Sequence, residues 1–310
     1  MLIAVLTRVL SLAGIALVIS ILVFGLLNLS PNDAAVAALG PYADAAQRQI
    51  WLSAHGYLQP MPVQYMHWLK HFLSGNLGQS QIFLVPVGAV LWPRLANSMV
   101  LMGTALALMV PLALALGVVA GFHRHTALDR FVSALSIVTT SLPPFATAAL
   151  FSALFTAWLH WLPGTSAMID GFDALQLVLP AAVLVTSELG YIIRITRAST
   201  IQVMKMPYIR AARLRGLGNR RIMINHVLKN TLITPFTVIM LQINWLLGGL
   251  VVVESFFAYK GIGSLLYQAA MRHDTNLEEA CTMVLVVVAG LTQLLADLAY
   301  GWLDPRVKQL

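Results

Sequence analysis

Residues 97–122 read NSMVLMGTALALMVPLALALGVVAGF, a run of 26 positions without a single charged side chain. An apolar run of about 18 or more residues with few or no charges reads as a membrane-spanning helix. At about 1.5 Å of rise per residue, this one is long enough to cross about 30 Å of hydrocarbon. Five further stretches share its character: 9–29, 131–159, 175–193, 232–257 and 280–303. Each interior is nearly free of charge, so the chain is expected to be all-α and polytopic, with about six transmembrane helices.

The composition of the whole chain agrees. Of its 310 residues, 59% are hydrophobic and only 10% charged, whereas a soluble domain carries about 25% charged residues. So few charges do not cover a water-facing surface, which excludes a large soluble helical core. The net charge of +7 does not point to nucleic acid, because the basic residues collect in short segments between spans. That is the orientation signal of membrane insertion. The single cysteine, Cys281, excludes an intramolecular disulfide. It and the methionines read as packing residues rather than metal ligands.

At the N-terminus, Ala35-Val36-Ala37 resembles a signal-peptidase site. The apolar run before it is longer than the roughly 7–15 residues of a signal, so a retained first span is expected. With the N-terminus inside, 14 of the 19 basic residues fall on the cytoplasmic side. They are Arg8, Arg124, Arg130, the nine between Arg194 and Lys229, Arg306 and Lys308. Arg48, Lys70, Arg94, Lys260 and Arg272 are left outside. This asymmetry places both termini in the cytoplasm. It divides the chain into 1–96, a first span with a long extracytoplasmic loop, and 97–310, a five-helix core that includes the cytoplasmic loop 194–230. In the outer loop, residues 59–72 (QPMPVQYMHWLKHF) place Met61, Tyr65, Trp68, Leu69 and Phe72 near helical spacing. An amphipathic helix at the membrane interface is expected there, ended by Gly75, Asn76 and Gly78.

Prolines mark several spans: Pro111, the pair Pro143-Pro144, Pro180 and Pro235. Each removes a backbone donor and bends its helix, either to line a pathway or as plain tilted packing. Gly117 to Gly121 form a GxxxG that brings two helices close.

The most informative hydrophilic segment is 206–218, MPYIRAARLRGLG. Pro207 suits a first helical position and Gly216 a helix-ending one, which predicts about two turns of helix over 207–215. Ala211 and Ala212 leave a shallow face for another protein. Gly218-Asn219 then turns the chain into a second helix over 220–230, anchored by Ile222, Ile224, Val227 and Leu228. From physics alone this is either a force-transmitting helix or a basic juxtamembrane loop attracted to anionic lipid.

The loop resembles the EAA loop of ABC importer permeases, whose motif EAA-x-x-x-G forms the coupling helix. Arg210-Ala211-Ala212 and Gly216 match it with Arg in place of the acid, as is common in the peptide branch. The block from Asn225 to Leu232 resembles the one that follows the motif. Tyr57-Leu58-Gln59-Pro60 through Leu77-Gly78-Gln79-Ser80 is similar to the first outer loop of the dipeptide/oligopeptide permeases. Ser141-Leu142-Pro143-Pro144-Phe145, Val253 to Gly263 (with Lys260 where Pro is usual and Ile262 where Leu is usual) and Leu303-Asp304-Pro305-Arg306-Val307 resemble further family segments. In this order and spacing they identify the chain as resembling the dipeptide/oligopeptide/nickel importer family, as the first of two paired permeases.

The resemblance implies a type I ABC importer permease fold in a bacterial inner membrane. It implies a homologous second permease, two cytoplasmic ATPases that bind ATP and Mg, and an extracytoplasmic solute-binding protein, with membrane lipid around the spans. Tyr208, Arg210, Ala211, Ala212, Arg213 and Gly216 would couple to the ATPases. The cargo would be peptides or related small solutes, with nickel, glutathione or sugars as alternatives. No G-x-x-x-x-G-K-[ST] phosphate loop occurs in the chain, so hydrolysis is expected in partners, and the chain carries no catalytic residue or cofactor of its own.

Ionisable residues inside spans are costly, about 2.5–3.5 kcal/mol each, and three stand out. Glu188 has Arg194 six positions on, off its own face, so its partner is expected from another helix. Glu254, near the outer end of the fifth span, is a candidate gate or pore residue with Pro143 and Pro144; a structural role is the alternative. Asp297 lies near the inner end of the sixth span. His67 and His71 sit at i and i+4, a metal-compatible spacing but without an adjacent third ligand, so no metal site is assigned. Two rival functions remain: an ion-coupled secondary transporter, for which no inverted repeat is seen, and a membrane scaffold.

Overall fold

A computed structural model of the chain describes residues 2–29, 35–36, 38–40, 42–169 and 171–303. Ala37 of the signal-like tripeptide and residues 304–310, which include most of the Leu303–Val307 motif and both C-terminal cations, lie outside the described residues. The described helices are α1 (Leu2–Leu27), α2 (Ala45–Ala54), α3 (Met61–Leu73), α4 (Val87–Phe122), α5 (Ala127–Ser141), α6 (Pro144–Phe151), α7 (Ala174–Met204), α8 (Pro207–Leu214), α9 (Asn219–Ile222), α10 (Lys229–Thr231), α11 (Ile233–Phe256), α12 (Ile262–Met271) and α13 (Thr275–Leu303). A π-helical stretch, Ser152–Trp158, prolongs α6, and another, Met223–Leu228, joins α9 to α10.

Among the described residues five helices are long and apolar enough to cross a membrane, and six if the bent pair α5–α6 counts as one span. The fold is therefore the expected polytopic helical one, with two differences. The stretch 131–159 is not one helix: it breaks by 106° between Ser141 and Pro144. Consecutive prolines are the cause, since each drives its predecessor out of the helical region. Leu142 (ψ 121°) and Pro143 (ψ 149°) are both extended. The stretch 175–193 does not end at its first arginine either. Arg194 and Arg197 continue α7 to Met204, because Arg is a good helix former.

The chain divides into two compact units. The first comprises residues 1–98 and 260–291. Its amphipathic helix α3 lies where periodicity predicts, and its aromatic edge rests on α1. The Phe24 ring meets Tyr65 at 5.5 Å and Trp68 at 5.6 Å, and Ser20 Oγ lies 2.8 Å from the Tyr65 hydroxyl. Helix α2 was not anticipated. Its signature is a capping box, in which Asp44 accepts from the Gln47 amide at 2.7 Å and Gln47 accepts from the Asp44 amide at 3.2 Å. Val87, Leu91, Ile262, Leu265 and Leu277 form the core here together with Cys281, which is the buried packing residue expected.

Asp274 ties this core to the preceding loop. Fully buried, its carboxylate accepts from Ser80 Oγ (2.6 Å) and from the amides of Gln81 (2.8 Å), Ile82 (3.1 Å) and Leu277 (3.3 Å). Removing it strands several buried donors, each costing about 1–3 kcal/mol. Asp274→Ala is therefore expected to lower stability by about 3 kcal/mol or more, read as a drop in the thermal midpoint of the detergent-solubilised protein. Asp274→Glu should recover less than half of the loss, since the longer side chain misplaces its oxygens.

The second unit comprises 99–259 and 292–310. Helix α7 packs against α5, α6 and α11. Small residues set its closest approaches. A Cβ added at Gly117 or Gly121 of α4 would fall 2.5 Å from Thr196 or 2.6 Å from Thr200 of α7, so the GxxxG joins two helices of the same chain. Polar groups also pair across these helices. Gln242 of α11 donates to Glu188 of α7, the partner from another helix that spacing demanded. Asn244 bonds Gln293 (3.0 Å) and Thr292 (2.8 Å) of α13, and Gln293 bonds Asp297 at 3.1 Å.

Candidate functional site

The short basic helix α8 is built from its ends inward. Met206 is extended (ψ 144°) and Pro207 opens the helix, where a missing N–H costs nothing. At the other end Arg215 is the cap and Gly216 takes φ +77°. The Gly216 amide donates to the Arg213 carbonyl at 2.9 Å and the Leu217 amide to the Ala212 carbonyl at 3.3 Å. These two bonds define a Schellman motif, and Leu217 packs against the cluster that holds Ala212, its usual apolar contact. The helix ends one residue before the predicted boundary. A residue other than Gly at φ > 0 costs about 1–2 kcal/mol. Gly216→Val is thus expected to fray the last turn, which amide hydrogen exchange would register as faster exchange at Leu214 and Arg215 with Ile209 unchanged.

One face of α8 is buried. Ile209 and Ala212 join Val203, Ile222 and Val227 in a small core, with Met204 and Leu217 against it. The Tyr208 hydroxyl accepts from Asn230 Nδ2 at 3.1 Å. The opposite face is open: Arg210, Ala211, Arg213 and Arg215 are exposed, Tyr208 is 41% exposed and Leu214 84%. Of the two alanines, then, Ala211 faces outward and Ala212 inward. The second helix follows Gly218 as expected but begins at Asn219, and its middle is π-helical. Among its four expected anchors, Ile222 and Val227 are buried while Ile224 and Leu228 are exposed.

What the loop is attached to determines what it can move. Ser199 Oγ of α7 donates to the Thr231 carbonyl at 2.9 Å, pinning the far end of the loop to the helix that launches it. Two residues earlier, Arg197 grips Asp129 at the start of α5 through two bonds, 2.5 Å and 2.9 Å. Asp129 is itself buried and also accepts from the His125 amide at 2.9 Å. This pair was missed from the sequence. The available signal was Thr126 three residues before Asp129, a helix-start pattern, opposite an arginine inside α7. The helix carrying the loop is thereby bolted to α5 by charge and to α4 by the glycine contacts described above.

The remaining candidates lie on other elements. Pro143 is exposed and caps α6, Pro144 is its first residue, and Glu254 is fully buried in the last turn of α11. Burial, and after it the Glu254 carboxylate, push the nearby Tyr259 phenol up to about 12. His67 and His71 line a cavity in the first unit. Among the described residues no group of three metal-ligating side chains comes together.

A multi-pass helical protein with a short, capped, outward-facing basic helix between its long spans is the architecture of a membrane-embedded transport subunit. The chain belongs to the family of binding-protein-dependent transport system inner membrane components, whose family model matches residues 113–309. The N-terminal model of the same transport systems matches residues 1–106. The chain is 32% identical to a putative peptide permease protein of Brucella suis, over 95% of each chain. It is 32% identical to a probable peptide ABC transporter permease of Sinorhizobium fredii and 30% identical to an oligopeptide transport system permease of Bacillus subtilis, over 98% of each chain. It is a multi-pass inner-membrane protein and a transmembrane permease subunit of an ABC importer.

Proposed function

We propose that this chain forms half of the translocation pore of an ATP-driven importer for short peptides. A homologous second permease supplies the other half. Two cytoplasmic ATPases bind ATP and Mg and grip the helix Pro207–Leu214, and an extracytoplasmic binding protein delivers the cargo. Both termini face the cytoplasm in this reading. Residues 1–96 supply the first span and the outer loop, and residues 97–310 the pore-forming core with its coupling loop 194–230. The observation that carries it is the division of α8 into an inner face sealed by Ile209 and Ala212 and an outer face of Tyr208, Ala211 and Leu214 rimmed by arginines. A push on that outer face reaches α7 directly, and α5 through the Arg197–Asp129 pair. Glu254, Pro143 and Pro144 are proposed as gate or pore elements, Glu254 acting from behind the pathway wall, since its side chain is buried within the chain.

The peptide as cargo is supported by the names of the relatives; nickel or another small solute on the same scaffold is the alternative. The chain is co-expressed with its permease and ATPase partners, and uptake of labelled peptide into inside-out or right-side-out vesicles is measured. ATP-dependent movement of peptide from the binding-protein side to the ATPase side supports the reading. Uptake that follows a proton gradient and ignores ATP overturns it in favour of a secondary transporter. Uptake of nickel but not peptide keeps the pore and changes its cargo.

A further inference from the structure

A cavity of about 340 Å³ opens in the first unit, bounded by α2, α3, the end of α1 and the start of α13. Two aromatic plates stand in its wall. Trp51 stacks on Tyr57 and Trp68 on Phe72, each with ring centroids 5.5 Å apart. Glu279 also lines it and is only 2% exposed. Its carboxylate accepts from Asn28 Nδ2 at 2.8 Å, a neutral donor, with the Trp68 ring in the same wall. Gln81 lines the same cavity, and its Oε1 is buried with no hydrogen-bond partner.

A buried carboxylate is strongly penalised unless charge and hydrogen bonds compensate it, and a buried orphan carbonyl costs about 1–3 kcal/mol. His55, His67 and His71 also line the cavity but no Lys or Arg does, so the wall is rich in acceptors and π faces and holds no permanent cation. An ammonium group offers three donors and a positive charge, and aromatic faces attract it further. A metal ion is the poorer occupant, because no three ligating side chains converge among the described residues. The volume is at the lower end of the range, about 300–1,000 Å³, that holds small organic ligands.

We infer that this cavity recognises the primary ammonium group of a small solute, the amino terminus of a dipeptide being the form it meets. The ammonium chemistry stands on the cavity itself; the choice of a peptide rests on the function proposed above. The ammonium sits against Glu279 and Gln81 with its first side chain over the Trp51–Tyr57 plate.

The full-length chain in lipid nanodiscs is titrated calorimetrically with dialanine and with N-acetyl-dialanine. Dialanine is expected to bind saturably and acetylation to weaken it at least about tenfold. Glu279→Gln is expected to weaken dialanine by a similar factor. Because that variant perturbs a buried contact with Asn28, Trp51→Leu serves as the second test and is expected to weaken dialanine at least about threefold with an unchanged melting temperature. Equal binding of the acetylated peptide, absence of saturable binding, or full affinity in Trp51→Leu overturns the inference. Failure here with ATP-driven uptake intact removes the ammonium site and leaves the pore; binding intact with no ATP-driven uptake does the reverse.

Discussion

Gly190→Leu is expected to yield no monodisperse protein, and Gly190→Ala to lower the thermal midpoint steeply. A Cβ at this position would lie 2.2 Å from the Ser136 carbonyl oxygen, 2.4 Å from Thr139 Oγ1 and 2.5 Å from Thr140 Oγ1. The two hydroxyls can rotate away, but the carbonyl is α5 backbone. Relief therefore requires α5 and α7 to separate. Ordinary overpacking costs about 1–3 kcal/mol because side chains shift; with backbone as the obstacle the cost of even one methyl lies at or above the top of that range. Separation would also stretch the Arg197–Asp129 pair, which joins the same two helices. The control is Gly103→Ala in α4, where an added Cβ meets nothing within 4 Å. There alanine's better helix propensity, about 1 kcal/mol over glycine, makes the change neutral or stabilising. Fluorescence-detected size-exclusion after heating separates the two outcomes. Equal melting of Gly190→Ala and wild type would mean that the two helices are not packed as described.

The adjacent alanines of α8 are expected to fail in opposite ways when enlarged. Ala211 is exposed and Ala212 is 5% exposed in the core with Ile209 and Ile222. Ala211→Trp leaves folding untouched and projects an indole into the proposed docking face. ATP-dependent uptake is expected to fall at least about tenfold, equivalent to about 1.4 kcal/mol of lost docking, with the melting temperature unchanged. Ala212→Trp instead overfills a small closed core and is expected to cost about 1–3 kcal/mol of stability, with α8 displaced and uptake lost as a consequence. Paired uptake and melting measurements distinguish them. Uptake preserved in Ala211→Trp would remove this face from the coupling mechanism.

The same two neighbours show how far the candidate site was legible. Pro207 and Gly216 bracketed the helix because a missing donor and a positive φ are local requirements that residue type alone reveals. Which alanine faced the protein was not legible, since the direction of the buried stripe depends on where Val203, Ile222 and Val227 stand. The Arg197–Asp129 pair was hidden for a related reason: Arg197 was read as one of nine loop cations, because a positive side chain was taken to end the span. Asp274 and Glu279, the second of which borders the cavity, lie nearly two hundred residues or more from the residues they contact, as the Ser80–Asp274 and Asn28–Glu279 bonds show. No local pattern announces such a partner.

The sequence by itself determined that this chain lies in a membrane, that it is built of about six long apolar stretches, and where the exposed basic helix α8 starts and, to within a residue, stops. Those properties follow from the cost of placing charge and unpaired backbone groups in hydrocarbon, which every residue signals independently. Tertiary structure alone decided that the proline pair breaks its span by 106°, that Gly190, Gly117 and Gly121 are contact points, and that buried acids find their partners on distant helices. Packing is a property of pairs of surfaces, and the second surface of each pair is set by the fold.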